Sequence, residues 1–170
     1  MKKRILFVCL GNICRSPSAE AVMQYLIDKR GLSEEVECDS AGILSYHQGE
    51  KADCRMQVHA LRRGYQLTSI SRPVNPKKDF EGFDMIIGMD DQNIRDLQKL
   101  TRNKEDEKKI YRMIDFARNT NLNSVPDPYY GGEEGFELVL DLLEDACNGL
   151  LESLVKKQEL VCETFESSIN

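Results

Sequence analysis

Short motifs that bind nucleotides or metals are missing from this sequence of 170 residues. It contains neither G-x-x-x-x-G-K-[ST] nor G-x-G-x-x-G, so a nucleotide-dependent switch protein is not indicated. None of its six cysteines forms a C-x-x-C pair, and its two histidines, His47 and His59, are not spaced as a pair of metal ligands. We therefore expect no metal site and mostly free thiols.

Long apolar runs are missing too, and none of the apolar stretches could span a bilayer. The first residues, MKKRILFVCLGN, have a basic front, but their apolar run is short and lacks a small-residue cleavage pattern. A secretory signal peptide is therefore not indicated. We expect a cytoplasmic protein without membrane insertion.

The balance of charge is acidic, with a formal net charge of -6 at pH 7. General affinity for nucleic acid requires a basic surface, so we expect no nucleic-acid partner. A local anion site is still compatible with an acidic chain, because backbone N–H groups and a single arginine can form one. Repeats and interdomain linkers are also missing, which favours one domain over residues 1–170 with a polar extension from about residue 156.

Short apolar runs alternate along the chain with segments of helical periodicity. The runs are bounded by turn residues, as in buried parallel strands. Alternation of this kind predicts an α/β fold with a central parallel sheet. The predicted strands cover residues 4–8, 36–40, 84–89 and 110–114.

The first predicted helix follows the first strand closely. Ser16 is a typical N-cap residue, Pro17 suits the first helical position, and Gly31 is a typical helix stop. The charged run 102–109 is interpreted as a solvated surface segment. Further helices are predicted over 49–63, around 94–97, and after residues 131–132, where an apolar stripe runs from residue 136 to 154.

The segment that joins the first strand to the first helix has the composition of an anion site. A compact loop before a helix aims several backbone N–H groups into one concavity. Gly11 and Asn12 tolerate unusual backbone angles, and Arg15 offers a planar fork of donors to phosphate oxygens. The same donors would stabilise a thiolate at Cys9, which could then attack phosphorus without a histidine base.

Taken singly, these residues have ordinary explanations. A lone cysteine at a strand end is usually a small buried hydrophobe, and a lone arginine after a loop is usually a surface charge. The pattern Cys-x5-Arg-Ser between a buried strand and a helix with an early proline is far more constrained. We therefore interpret Cys9 as a nucleophile and Arg15 as a phosphate clamp.

A second loop, near the start of the last predicted helix, offers an acid. Two prolines flank Asp127 in the run VPDPYYGG at 125–132, and the two tyrosines that follow could pack on a flat substrate ring. Asp127 could donate the proton that a leaving phenolate requires. From spacing alone, simple turn chemistry explains the Asp-Pro pair equally well.

Four segments resemble the low-molecular-weight protein tyrosine phosphatases, in that family's order and spacing. They are VCLGNICRSP at 8–17, DSAG at 39–42, MDDQN at 89–93 and PDPYYGG at 126–132. The resemblance covers residues from about 4 to about 155. It implies a three-layer α/β sandwich with a central four-stranded parallel sheet and helices on both faces. It also implies hydrolysis of phosphotyrosine in proteins without a cofactor, through a cysteinyl-phosphate intermediate.

The resemblance also implies roles for individual residues. Cys9 would be the nucleophile, Arg15 the clamp, and Asp127 the general acid and then the base. Cys14 matches a cysteine that many members pair reversibly with the nucleophile; a packed small residue is the equal alternative. Asn12, Ser16 and Ser40 would form a hydrogen-bond network that holds the loop and assists the thiolate. The remaining assignments are phosphate binding by Leu10, Gly11, Asn12, Ile13, Cys14 and Ser16, support by Ser40 and Arg72, and a pocket rim of Tyr46, Tyr129 and Tyr130.

One departure from the family pattern falls in the supporting network. Many members have His-x-x-Arg where this sequence has Ser69 to Arg72. We expect the network behind the loop to be weaker or rebuilt. A monomer or weak dimer is expected.

Three other functions fit parts of the sequence less well. A thioredoxin-coupled arsenate reductase would need a relay cysteine, and none lies between Cys54 and Cys147. A protein-arginine phosphatase tends to carry threonine where this chain has Ile13. A phosphate-binding module without catalysis would be expected to lack the nucleophile or the acid.

Overall fold

Four parallel strands form the centre of the molecule. The computed structural model describes residues 1–167, and the side chains of residues 1–161. The strands lie in the order β2-β1-β3-β4, so β1 pairs with both β2 and β3. This arrangement confirms the predicted four-stranded parallel sheet. The strands are β1 (Lys3–Cys9), β2 (Val36–Gly42), β3 (Met85–Gly88) and β4 (Ile110–Arg112).

Helices cover both faces of the sheet. The largest is α6, which contacts α1, α2 and the 3-10 helix. The helices are α1 (Arg15–Lys29), α2 (Cys54–Arg62), α3 (Pro76–Gly82), α4 (Asp91–Leu100), α5 (Lys104–Glu107), a 3-10 helix (Met113–Phe116) and α6 (Glu133–Ser167).

The alternation of side chains along β1 explains its unbroken apolar run. Ile5 and Phe7 point into a core shared with α1 and α6, whereas Leu6 and Val8 point into a second core that includes Phe80 of α3. Because side chains alternate across a strand, a strand covered on both faces must be apolar at every position. The two cores make the molecule a three-layer sandwich.

Several boundaries differ from the predictions. Helix α1 begins at Arg15 and Cys14 occupies its N-cap position, so Ser16 is not the N-cap. The Ser16 hydroxyl instead accepts a hydrogen bond from Asn12 and lies next to Cys9 Sγ. Helix α2 begins at Cys54, after Asp53 has capped it by accepting a hydrogen bond from the N–H of Arg55 at 2.9 Å. The predicted strand 110–114 ends at Arg112.

Two short helices and a long continuation were not predicted. Helix α3 contains only seven residues, and α5 lies within the charged run 102–109, which was interpreted as surface. Helix α6 continues to Ser167, so the polar extension from residue 156 is helical up to that point. Residues 168–170 of the extension lie outside the described residues.

Cys9, Cys14, Cys38, Cys54 and Cys147 are free thiols, as expected, and the side chain of Cys162 lies outside the described residues. None of the helices within residues 1–167 is long and apolar enough to cross a bilayer.

Candidate active site

The loop after β1 lies at the carboxyl edge of the sheet, where α/β folds place their ligands. Asn12 has a φ of 56°, the left-handed conformation that asparagine tolerates. Gly42, at the end of β2, lets the loop approach closely. A Cβ there would meet the backbone nitrogen of Asn12 at 3.1 Å. The tight loop therefore depends on a residue of the neighbouring strand.

Asn12 holds the loop from within. Its Nδ2 donates to Ser16 Oγ at 2.8 Å and to Ser40 Oγ at 3.0 Å, and its Oδ1 accepts from the backbone N–H of Arg72 at 3.0 Å. Ser71 adds a hydrogen bond from its hydroxyl to the carbonyl of Gly11 at 3.0 Å. These hydrogen bonds fix the Asn12 amide, the Ser16 hydroxyl and the Gly11 carbonyl before any ligand binds.

Cys9 is the last residue of β1, and its side chain reaches the inner side of this loop. Its Sγ lies 3.1 Å from Ser16 Oγ. A hydroxyl that donates to sulfur at this distance stabilises the thiolate. Asn12 and Ser16, both assigned to phosphate binding by resemblance, lie buried behind the loop and do not line the cavity in front of it.

Arg15 is a buried cation, with only 2% of its surface exposed. Its Nη1 donates to Asp90 Oδ2 at 2.6 Å and to the carbonyl of Val125 at 3.1 Å. Burial alone would lower the pKa of the guanidinium, but charge on Cys9 and the Asp90 hydrogen bond raise it above its ordinary value. Arg15 is therefore held charged and in a fixed orientation.

Asp90 was not singled out from the sequence, although it lies in the quoted segment at 89–93. It is the N-cap of α4, where its Oδ1 accepts from the N–H of Asn93 at 2.8 Å. Its other oxygen orients Arg15. The sequence shows that Asp90 can cap a helix. Its contact with Arg15 forms only because the sheet places β1 and β3 side by side.

Asp127 reaches the same place from the loop before α6. Its Oδ2 lies 3.5 Å from Arg15 Nη2, and its Oδ1 accepts from the N–H of Tyr129 at 3.0 Å. Arg55 supports this loop by donating to the carbonyl of Tyr129 at 3.1 Å, while it also pairs with Asp53. The carboxyl group thus lies beside Arg15 and is not used only in a turn.

A cavity of about 340 Å³ opens in front of Cys9. It brings together the nucleophile, clamp and acid predicted from the sequence, and Tyr46, Tyr129 and Tyr130 stand at its mouth. His47 also lines the cavity and was not predicted. Its ring lies edge-to-face with Tyr46 at 4.8 Å between centroids. The lining residues are Cys9, Leu10, Gly11, Ile13, Cys14, Arg15, Leu44, Tyr46, His47, Asp127, Tyr129 and Tyr130.

Cys14 lines the cavity too, but its thiol is chemically different from a nucleophile. Burial is the main cause that raises the pKa of the Cys14 thiol far above its ordinary value, and the nearby carboxylate of Asp53 adds to this. Cys14 therefore stays protonated at neutral pH. A disulfide between Cys14 and Cys9 stays a prediction.

The hydrogen bonds behind the loop extend to the carboxyl group of Glu20, which the sequence did not indicate. Ser40 Oγ donates to Glu20 Oε2 at 2.6 Å, and Ser69 also hydrogen-bonds to Glu20. Arg72 contributes its backbone N–H to the loop, while its guanidinium pairs with Asp39 and Asp79. Ser69, at the position where many family members have histidine, thus contacts a carboxyl on α1.

These features define a class of enzyme. A thiol beside a buried guanidinium, with an aspartate across the same cavity, is the site expected of a cysteine-dependent phosphatase. The sequence matches the family described as low molecular weight phosphotyrosine protein phosphatase over residues 4–160. The chain belongs to this family.

Individual relatives agree with the family match. A Synechocystis protein named for the same family is 46% identical over 154 residues, covering 91% of this chain and 98% of that protein. The crystal structure of a protein tyrosine phosphatase from Entamoeba histolytica is 49% identical, with a TM-score of 0.89, covering 92% and 99% of the two chains. That of YfkJ from Bacillus subtilis is 38% identical, with a TM-score of 0.85 and coverage of 92% and 97%. The predicted family, fold class and enzyme class, a protein-tyrosine-phosphatase, are confirmed.

Proposed function

We propose that this protein hydrolyses phosphotyrosine in protein substrates, with Cys9 as nucleophile, Arg15 as clamp and Asp127 as acid and base. The observation that carries the assignment is the convergence of these three side chains on one cavity. Cys9 ends β1 and Arg15 begins α1, at the two ends of one loop, whereas Asp127 lies in the loop before α6, 112 residues after Arg15. Convergence of a thiol, a cation and a carboxyl group has a direct chemical use in phosphoryl transfer.

The first step transfers the phosphoryl group to the protein. The Cys9 thiolate attacks phosphorus in line, an S–P bond forms, and the bond to the phenolic oxygen breaks. Asp127 gives its proton to the leaving oxygen. Arg15 and the N–H groups at the start of α1 stabilise the equatorial oxygens as charge moves onto the leaving group.

The second step releases inorganic phosphate. Asp127, now ionised, takes a proton from a water molecule that attacks the same phosphorus atom. The S–P bond breaks and the Cys9 thiolate is restored. Cys14 cannot replace Cys9 in this cycle, because burial keeps its thiol protonated.

The walls of the cavity favour an aryl phosphate. Ile13 and Leu44 are apolar, and Tyr46 and Tyr129 add aromatic surface to the lining. Aromatic rings pack well on such surfaces. Ile13 also makes an arginine-phosphate substrate the weaker alternative, since its side chain offers no hydrogen bond to a guanidinium.

We also propose a cytoplasmic location and a monomer or weak dimer. Support for the location comes from Cys9 and Cys14, which share one cavity as free thiols. The cytoplasm keeps thiols reduced through glutathione and thioredoxin, which would preserve a cysteine nucleophile.

The first test is hydrolysis of para-nitrophenyl phosphate in a chelating buffer, by the wild type and by Cys9→Ser. We expect the wild type to turn over and Cys9→Ser to lose activity while still binding inorganic phosphate. Cys54→Ser is the matched control, because Cys54 is an exposed thiol outside the cavity; it should keep full activity.

Two outcomes would contradict the proposal. Activity of Cys9→Ser within about tenfold of the wild type would remove Cys9 from the nucleophile role. Absence of turnover by folded, reduced wild-type protein would favour a phosphate-binding module or arsenate chemistry instead.

A further inference from the structure

The start of α2 contacts both loops that supply the reacting groups. The backbone N–H of Asp53, the N-cap of α2, donates to the carbonyl of Ile13 in the loop after β1 at 2.8 Å. Two residues later, Arg55 Nη2 donates to the carbonyl of Tyr129 in the loop before α6 at 3.1 Å. One short segment therefore connects the loop of the nucleophile to the loop of the acid.

Asp53 and Arg55 are bound to each other between these two contacts. Arg55 Nε donates to Asp53 Oδ1 at 3.2 Å, and Arg55 Nη2 donates to Asp53 Oδ2 at 3.0 Å. Burial alone would raise the pKa of Asp53, but hydrogen bonds from Arg55 lower it, so the carboxylate stays ionised at neutral pH. A planar guanidinium held by two of its nitrogen atoms keeps one orientation.

Two aromatic rings add to the contacts of this guanidinium. The Cζ atom of Arg55 lies 5.5 Å from the ring centroid of Tyr129 and 5.0 Å from that of Phe136. A cation within about 6 Å of an aromatic face is attracted to it. Because Phe136 is buried in α6, it offers Arg55 a fixed surface. Arg55 thus holds Tyr129 by its ring as well as by its carbonyl.

Tyr129 connects Arg55 to Asp127. The N–H of Tyr129 donates to Asp127 Oδ1 at 3.0 Å, so the residue that Arg55 holds is also the one that orients the acid. Arg55 itself is not among the residues that line the catalytic cavity. Its effect on the reaction must therefore pass through the loop before α6.

We propose that Arg55 is a positioning residue for proton transfer by Asp127. By holding Tyr129 it fixes the direction in which the Asp127 carboxyl faces the leaving oxygen. By pairing with Asp53 it sets the position of that loop relative to the loop after β1. This inference rests on the proposed role of Asp127 as the acid and adds a residue that does not touch the substrate.

The test measures kcat/KM for phenyl phosphate and for para-nitrophenyl phosphate with the wild type, Arg55→Ala and Arg55→Lys. This ratio reports the first step, in which the more basic phenolate depends more strongly on a proton from the acid. We expect Arg55→Ala to lower kcat/KM about five- to twentyfold for phenyl phosphate and less than about threefold for para-nitrophenyl phosphate. Arg55→Lys should lie between the wild type and Arg55→Ala, because lysine keeps the charge without the planar fork.

Arg62→Ala is the matched control. Arg62 is an exposed arginine of the same helix and lines the same side cavity of about 330 Å³ as Arg55. Its replacement removes the same charge and should change neither value more than about twofold. An equal loss for the two substrates with Arg55→Ala would overturn the proposal, since a damaged fold or a missing charge lowers both alike. So would a loss with Arg62→Ala as large as that with Arg55→Ala.

A double-mutant cycle with Asp127→Ala tests the route. If Arg55 acts through Asp127, Arg55→Ala should have no further effect on phenyl phosphate hydrolysis in the Asp127→Ala protein. Additive losses would overturn the route.

Exchange of the Tyr129 amide hydrogen with water, measured by NMR, tests the positioning without turnover. We expect exchange to be about threefold or more faster in Arg55→Ala and unchanged in Arg62→Ala, because only Arg55 holds the residue whose N–H binds Asp127. Unchanged exchange in Arg55→Ala would overturn the proposal. Faster exchange together with no hydrolysis by the wild type would contradict the proposed function alone.

Discussion

At the scale of single residues, Asp127 shows how a loop aspartate is held in one orientation, as its proposed role as acid would require. One of its oxygens is held by the N–H of Tyr129, and the other faces Arg15 at 3.5 Å. A side chain anchored at one oxygen presents the other in a constant direction. Such anchoring reduces the entropy that must be lost when the proton is transferred.

We expect Asp127→Ala to slow hydrolysis in proportion to the basicity of the leaving group. Phenyl phosphate should lose about a hundredfold or more in kcat, and para-nitrophenyl phosphate much less, because its leaving oxygen needs little protonation. The measurement is kcat for both substrates with each protein. An equal loss for the two would count against Asp127 as the acid.

At the scale of elements, the contact between α6 and the 3-10 helix depends on one missing side chain. A Cβ on Gly149 would lie 1.9 Å from the carbonyl oxygen of Phe116, which is too close for any real contact. The two elements can touch only because this position in α6 is glycine. Glycine within a helix normally lowers stability, so its presence here has a packing reason.

We therefore expect Gly149→Ala to destabilise the protein by about 1–3 kcal/mol, although the same change in an exposed helix would stabilise it. Urea denaturation measures the difference. Asn148→Ala, at the exposed neighbouring position, is the control and should change stability by less than about 0.5 kcal/mol. Increased stability of Gly149→Ala would show that the contact does not exist in solution.

A second contact between elements, of α2 with α6, is electrostatic. Glu137 accepts from His59 Nδ1 at 2.6 Å and pairs with Arg63, and these hydrogen bonds, His59 first, lower the pKa of Glu137 below its ordinary value. A carboxyl group with a lowered pKa in the folded state stabilises the fold above the unfolded pKa of about 4.3. That contribution is lost as the pH falls toward the folded pKa.

We expect the melting temperature of Glu137→Gln to lie below that of the wild type at pH 6. The gap should narrow steadily as the pH falls below about 4.5, since the wild-type carboxyl then becomes protonated. Thermal denaturation at several pH values measures the gap. A gap that stays constant down to pH 3 would mean that Glu137 acts by packing alone.

At the scale of the whole molecule, the core ends before the chain does. Leu154 is the last buried side chain among the described residues, and residues 156–161 of α6 are exposed. Family similarity extends to residue 160. Whether 1–170 behaves as one domain with an extension stays a prediction.

We expect a chain that ends after Lys157 to fold and react like the full chain, with a melting temperature within about 2 °C. A chain that ends after Leu150 should be strongly destabilised, because it lacks Leu151 and Leu154 of the core. Thermal denaturation and kcat/KM test both. A chain that ends after Lys157 but loses stability or activity would show that the extension contributes to the fold or to the site.

Local sequence was enough to predict the features that depend on neighbouring residues. The apolar run of β1 predicts a strand covered on both faces, and the pattern from Cys9 to Arg15 predicts an anion loop before a helix. Short helices such as α3 and α5 escaped prediction, because a few residues contain too few turns to show a period. The end of α1 at Lys29 followed by Gly31 agreed with its stop signal.

The sequence by itself thus determined the family, the order of the strands and of the longer helices, and the three side chains that meet at the cavity. The resemblance also implied support of the loop by Ser40 and Arg72. Only the tertiary structure decided that Asp90 orients Arg15 and that Glu20 accepts a hydrogen bond from Ser40. The physical reason is distance along the chain. Charge and hydrogen bonds act over a few ångströms in space, and only the pairing of parallel strands brings segments 20 to 110 residues apart into that range.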